Sequence, residues 1–274
     1  MIETFIAHSA QNGHPAQTYE AHIQGVHKKA LGYAMEAEQY SEKATGMLTS
    51  VVEDSAALHD LGKLDDENQK VLQNPKSGQR HLPINHTDAG SAALISTGRA
   101  HAAMLVYSHH RGLPDFRTEE SCKEAILRDD HPSIRDHVNR TLNELLSRHH
   151  TLFPPLSDEK PRNYDGDHKV LLRIALSCLA DADHTDTAIA YGQASEREEL
   201  PLLRADERLA ALDRYVSGLS GGDERDRLRS EMYASCRNAD IHGNFSSCDS
   251  PVGSGKTTAV MAHLLQQAAR RNAR

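Results

Sequence analysis

The string Leu58-His59-Asp60-Leu61-Gly62-Lys63 sets a histidine beside an aspartate near the end of an apolar-periodic run, directly before a glycine and a lysine. Imidazole nitrogen and carboxylate oxygen are donors that borderline divalent metal ions accept, and a nearby ammonium suits a phosphate. Neighbouring helical residues point about 100° apart, so His59 and Asp60 are expected to serve adjacent ions, with the two-oxygen carboxylate bridging, rather than to pinch one ion. Lys63 falls just past the helix end, where it can reach a phosphate.

Other residues able to join such chemistry lie far along the chain. The 18 histidines form no His-rich tract, and packing needs far fewer, so some are expected as ligands. His22 flanks an apolar helical stripe. His86 lies at the mouth of a helix opened by Asn85, Thr87 or Asp88, each an acceptable N-cap. His109-His110 follows a compact apolar run and is carried to the end of a buried helix. His149-His150 follows a charged segment instead and is expected at the surface. Asp181 and Asp183 sit in a helix that is apolar almost all round, where an unpaired carboxylate is costly. Asp183 continues the face of Leu172, Leu176 and Leu179 and is the choice for a site. Asp181, about 200° away with Val170, Ile174 and Ser177, is the structural alternative, pairing with Arg173 or a backbone group.

The elements that must position these groups are helical. Tyr19, Ile23, Val26, Ala30, Tyr33 and Ala37 recur at 3- and 4-residue steps, which predicts a helix from Thr18 to about Tyr40. Further helices are predicted over Met47 to Leu61, with Gly62 as terminator, from Asn85 onward, over Ala100 to His109, and over Lys169 to about Tyr191. Polar loops are expected over Asn74 to Pro83 and residues 151 to 167. Aromatics make up only 4% of the chain, with no Trp, which favours helices over sheet.

From about 195 to 240 the chain is strongly charged, with a Ser217 to Gly222 hinge, and reads as a helical linker. Ser250-Pro251-Val252-Gly253-Ser254-Gly255-Lys256-Thr257-Thr258 then precedes a helix from Ala259 to about Arg270. Backbone amides of such a turn cradle phosphates, Lys256 reaches their charge, and Thr257 can meet Mg²⁺. Gly253, Gly255, Lys256 and Thr257 are thus candidate ATP-phosphate residues. Too few residues follow Thr257 for a complete nucleotide fold, so no ATPase or helicase activity is expected from this stretch, and ATP with Mg²⁺ would belong to a full-length helicase.

Whole-chain properties narrow the setting. A net charge of -8 argues against a generally basic nucleic-acid binder but not against a metal-mediated contact with phosphate. The scattered Cys122, Cys178, Cys236 and Cys248 show no zinc-finger spacing, no signal peptide opens the chain, and no run reaches membrane-spanning length. A cytoplasmic protein with reduced thiols and no membrane contact is expected.

Histidine, then His-Asp, then histidine, then His-His, then aspartate, spread over helices, resembles the HD superfamily of metal-dependent phosphohydrolases. With the phosphate loop added, the chain resembles the N-terminal nuclease domain of the type I CRISPR-associated nuclease-helicases. Ile6-Ala7-His8-Ser9, Tyr19-Glu20-Ala21-His22, Leu58 to Lys63, His109 to Asp115, Asp181-Ala182-Asp183 with Asp186-Thr187, and Leu228-Arg229 to Cys236 leading into Ser250 to Thr257 carry the likeness. His184 and Thr185 depart from it, standing where bulkier apolar residues are expected.

The resemblance implies an all-α HD-domain bundle around a metal site over residues 1-195, a helical linker over 196-245, and a truncated RecA-like helicase fragment over 246-274. It implies one ion held by His22, His59, Asp60 and Asp183, and a second held by Asp60, His86, His109 and His110. His59, Asp60 and Lys63 would be catalytic. Mixed imidazole and carboxylate donors suit Mn, Fe, Ni or Co, with Mg acceptable. The implied activity is cleavage of single-stranded DNA, endonucleolytic and also exonucleolytic, in antiviral CRISPR interference after recruitment by a Cascade-type surveillance complex. An HD site alone does not choose its substrate, so hydrolysis of a free nucleotide is the alternative, and a non-enzymatic docking module with a structural ion is a third reading.

Overall fold

The computed structural model describes residues 4–40, 45–74, 81–157, 168–195, 202–219, 221–241 and 246–271. Most of the expected loop at 74–83, of the later part of the loop at 151–167, and of the Glu196-to-Glu199 charge run lies outside the described residues, as does Ser220 of the expected hinge. The chain divides into two compact units, residues 1–196 and 197–274. Among the described residues, no helix is long and apolar enough to cross a membrane.

The first unit is mostly helical. It opens with a small antiparallel hairpin of β1 (Ile6–His8) and β2 (Gln17–Thr18). Thr18 then caps α1 (Tyr19–Glu38), its hydroxyl accepting from the Ala21 amide. The apolar stripe read from the sequence is buried along α1 at Tyr19, Ile23, Val26, Ala30 and Ala34. Next come α2 (Met47–Leu58), a 3₁₀ turn (Leu61–Leu64), α3 (Asp66–Gln73), α4 (His86–Ser96) and α5 (Ala100–Ser108). The short α6 (Phe116–Ser121), the long α7 (Pro132–His150) and α8 (His168–Ala190) complete the unit.

Two apolar clusters hold these elements. In one, α1, α2, α5 and α8 meet through Val26, Ala30, Leu48, Val52, Leu105, Leu172 and Leu179. In the other, the N-terminal hairpin, α4, α5 and α7 meet through Phe5, Tyr19, Leu61, Leu94, Val106 and Leu145. Each fully buried leucine contributes about 1.5–3 kcal/mol relative to exposure. The clusters therefore fix where the ends of α2 and α5 and the middle of α8 lie.

Two sequence expectations are corrected here. The second helix ends at Leu58 rather than Leu61: Asp60, at φ −113° and ψ 17°, has left helical geometry and begins the 3₁₀ turn. Gly62 is therefore not a helix stop. It is glycine because a β-carbon there would lie 2.6 Å from the carbonyl oxygen of His86. The pair His149-His150 is not a surface pair, since His149 is buried at the end of α7, where its Nδ1 and the Tyr19 hydroxyl share a 3.0 Å hydrogen bond. The charge of α7 lies on its outer face, and Val138, Leu145 and His149 form its inner one.

The second unit packs α9 (Ala205–Ser217), α10 (Glu224–Asn238) and α11 (Lys256–Arg270) around Leu209, Tyr233, Ala259, Ala262 and Leu265. The segment expected as a linker thus shares a core with the helix of the phosphate loop. Within that segment Asp213 ties α9 to α10, accepting from the Arg237 guanidinium at both oxygens and from the Tyr233 hydroxyl. The last helix begins at Lys256, three residues earlier than its apolar periodicity indicated, because the Gly255 turn rather than the first buried alanine starts it.

Candidate metal centre

The centre is built where the end of α2 meets α1, α4, α5 and α8. His22 comes from the buried face of α1, His59 and Asp60 from the end of α2, and Lys63 from the 3₁₀ turn. His86 is the first residue of α4, His109 caps α5 with His110 next, and Asp183 comes from the middle of α8. His22, His59, Asp60, Lys63, His109 and Asp183 are buried, His86 is half-buried and His110 exposed. All seven residues read from the sequence as metal ligands are brought together. Asp181 is exposed on the other side of α8.

Hydrogen bonding fixes the orientation of three imidazoles. His59 Nδ1 lies 2.9 Å from the Ala56 carbonyl and His109 Nδ1 lies 2.7 Å from the Val106 carbonyl. A carbonyl only accepts, so each Nδ1 donates and each Nε2 is turned toward the centre. His22 Nδ1 donates over 3.0 Å to Asp186, the carboxylate–histidine arrangement that orients metal-ligating imidazoles. Asp186 is itself held by Lys29 at 2.9 Å and Gln17 at 2.7 Å.

Donor atoms therefore converge. Nε2 of His22 stands 3.1 Å from Asp60 Oδ2, 3.3 Å from Asp183 Oδ1 and 3.3 Å from His59 Nε2. Nε2 of His86 stands 3.6 Å from Asp60 Oδ1. His59 Nε2 is 3.4 Å from Asp60 Oδ2, so this neighbouring pair does face one point. The expectation that the two could not share an ion rested on the angle between successive helical residues, and Asp60 is outside the helix. Among the described residues, four sets of donors lie within 4.8 Å of one another in this region: His22, His59 and Asp60; Asp60, His86, His109 and His110; His8, His22 and Asp183; and His110, Asp183 and His184.

Whether these residues suit a divalent ion is decided by atoms left without partners. Both oxygens of Asp60, Nε2 of His86 and Nε2 of His109 are buried and make no aligned hydrogen bond. The close Lys63 ammonium, 2.7 Å from Asp60 Oδ2, balances charge without saturating these lone pairs. Buried polar atoms are rarely left so, and the two oxygens of one carboxylate with two imidazole nitrogens beside them form a donor set that a cation would satisfy. The buried His/Asp groups are thus compatible with a metal ion, whose identity they leave open.

Charge follows the same pattern. Burial would raise the Asp60 carboxyl, but Lys63, His59 and His22 outweigh it and hold it well below the usual range. Burial opposes charge on His22, and the Asp183, Asp186 and Asp60 carboxylates around it overcome burial and push its pKa up to about 10, so an ion bound there would displace a proton from this ring. Burial pushes His86 down to about 4, and His109 and His110 also downward, keeping these imidazoles neutral as ligation requires.

Several residues of the site were not read from the sequence. His8, at the end of β1, accepts at Nε2 from the Lys63 ammonium over 3.3 Å and packs edge-on against His22. Asp186 lies three residues beyond Asp183 on the same face of α8, a spacing that was available. A β-carbon at Gly25 of α1 would sit 2.0 Å from Asp186 Oδ1, so glycine there lets α1 and α8 approach. Asn68 donates to the carbonyls of Gly62 and Ile84, tying the turn that carries Lys63 to the segment entering α4.

No protein-family model matches this chain, and no curated protein matches it. The site must be read from its own geometry.

In the second unit, Gly253 and Gly255 both adopt φ of +84°, and Lys256 starts α11. Lys256 Nζ donates over 2.5 Å to the Ser250 carbonyl, closing the loop on itself, and Arg229 of α10 donates to the Gly253 carbonyl over 3.0 Å. Thr257 is exposed in the first helical turn.

Proposed function

We propose that the first unit is a divalent-metal-dependent nuclease that cleaves single-stranded DNA, as part of a CRISPR-associated nuclease-helicase acting with a Cascade-type surveillance complex. The observation that carries this reading is the convergence of His22, His59, His86, His109 and Asp183 on the unsaturated carboxylate of Asp60, with the Lys63 ammonium beside it.

His22, His59, Asp60 and Asp183 would hold one ion, and Asp60, His86, His109 and His110 a second. Such ions supply a hydroxide nucleophile near neutral pH and polarise the scissile phosphate. The chain's own residues do the rest. Asp186, fixed by Lys29 and Gln17, keeps the His22 imidazole in register. The Ala56 and Val106 carbonyls hold the His59 and His109 rings with Nε2 turned toward the centre. Lys63 presents its ammonium to phosphate charge, as a positioned cation beside a developing oxyanion does. Imidazole-rich donors favour Mn, Fe, Ni or Co over Mg.

In the second unit, the phosphate loop of Gly253, Gly255, Lys256 and Thr257 supports binding of ATP phosphates within a longer helicase. As a helicase-type loop, it supports DNA over other phosphate esters as the substrate.

The test is digestion of a circular single-stranded DNA in the presence of Mn²⁺ or Ni²⁺. Cleavage by the wild type and none by Asp60→Ala is expected. Equal cleavage by both, or none by the wild type, would falsify the assignment. Hydrolysis of free nucleotides with the DNA left intact would make it a nucleotide phosphohydrolase instead.

A further inference from the structure

At the lip of the centre, two exposed histidines come together from different segments of the chain. His110 follows the end of α5 and His184 lies on α8, directly after Asp183. Donor atoms of His110, Asp183 and His184 lie within 4.8 Å of one another. His184 departs from the HD-like pattern, which carries a bulky apolar residue there, and it belongs to neither of the two inner ligand sets.

Successive residues of α8 point about 100° apart. Asp183 therefore faces inward, buried, while His184 faces solvent, and the exposed His110 brings a donor within reach of both. The three donors run from the floor of the centre to its rim.

We infer that His110, Asp183 and His184 form a third, inhibitory cation site at the mouth of the centre, and that its natural occupant is Zn²⁺. This inference rests on the nuclease reading for its consequence but not for its binding chemistry. Two imidazoles and one carboxylate make a three-ligand set that zinc accepts with water in the fourth position. Donors around zinc stand roughly 3.3 Å apart at its ordinary bond lengths. The donors already lie within 4.8 Å of one another, and the two imidazoles are exposed rather than locked in by burial.

Manganese, the activating ion used in the test, stands lowest in the affinity order for nitrogen donors, so zinc competes well against it at a site with two imidazoles. Two of the three ligands are shared with the inner sets. A zinc ion held there would compete with the inner sets for His110 and Asp183, so activity would fall as zinc rises while the inner ions are present.

The experiment titrates Zn²⁺ against the manganese-loaded protein with a chelating indicator, for the wild type, His184→Asn and His184→Cys. It follows manganese-dependent cleavage of single-stranded DNA in the same samples. His184 is exposed and outside the inner ligand sets, so both variants are expected to keep basal activity. The wild type should take up one more equivalent of zinc than His184→Asn, and His184→Cys, which supplies a thiolate, should restore it. Zinc inhibition should weaken at least about tenfold in His184→Asn, the loss that removing even an outer partner of a ligand produces. Equal zinc stoichiometry in wild type and His184→Asn overturns the rim site, as does equal sensitivity to zinc. If the wild type cleaves no DNA, the nuclease reading fails and the zinc stoichiometry alone decides the rim site.

Discussion

Two adjacent histidine pairs end two helices of the first unit, and they do opposite things. His109-His110 closes α5 and His149-His150 closes α7, and in each pair the first member is buried. His149 meets the Tyr19 hydroxyl over 3.0 Å and packs against the Phe153 ring, with centroids 5.6 Å apart. His109 has its Nδ1 occupied by the Val106 carbonyl, while its buried Nε2 has no partner. Burial alone therefore does not mark a ligand. A lone pair held toward a carboxylate, with nothing to satisfy it, does.

The contrast breaks most sharply at Asp60, on which the free lone pairs converge. Asp60→Ala should lower metal-dependent cleavage by at least ~10²-fold, the cost of losing one strong electrostatic donor, and should lower bound metal in elemental analysis. His149→Leu should leave both within about twofold, because no ligand acts through His149. A comparable loss of cleavage in the two variants would erase the distinction between the pairs.

Gly25→Ala probes the support behind His22. The added carbon would lie 2.0 Å from Asp186 Oδ1, so the carboxylate must shift and His22 lose its tether. Metal affinity should fall about 10- to 100-fold, as for loss of an outer partner of a ligand. Gly32→Ala on the same helix, where a β-carbon meets nothing within 4 Å, is the control and should gain up to about 1 kcal/mol in denaturant unfolding.

The structural pair carries its own signature in acid. Burial, then the neighbouring His150 and His59, lower the His149 pKa from 6.5 to about 4. The unfolded chain takes up this proton below 6.5 while the folded chain refuses it until about 4. The stability from a neutral His149 is thus complete above pH 6.5 and lost as pH falls toward 4, by roughly 3 kcal/mol. His149→Gln should flatten that part of the stability–pH curve measured by urea titration; an unchanged slope would show that His149 is not the group responsible. A smaller effect is expected for His149→Leu at pH 7, about 1–3 kcal/mol from the unpaired Tyr19 hydroxyl, again read by urea unfolding.

Much of this was legible in the chain itself, for physical reasons. The apolar steps of α1 and α8 are strong because each helix buries a long stripe, and the phase of α8 separated Asp183 from Asp181 before any contact was known. The hairpin of β1 and β2 left no periodic trace, since its strands have three and two residues. The charged exterior of α7 hid the inward His149. The contacts of His8 and Asp186 with the centre join residues 55 and 164 positions apart, and local pattern holds no information about such pairings. The glycines carry the same lesson: Gly62 looks like a helix stop in one dimension and is a point of close approach in three.

The most direct test of the central claim is anomalous diffraction at the manganese edge from crystals of the manganese-loaded protein. The expected result is a peak bounded by Asp60 and the Nε2 atoms of the surrounding histidines, with none at His149. An empty centre at saturating manganese, or a peak held elsewhere in the chain, would contradict it.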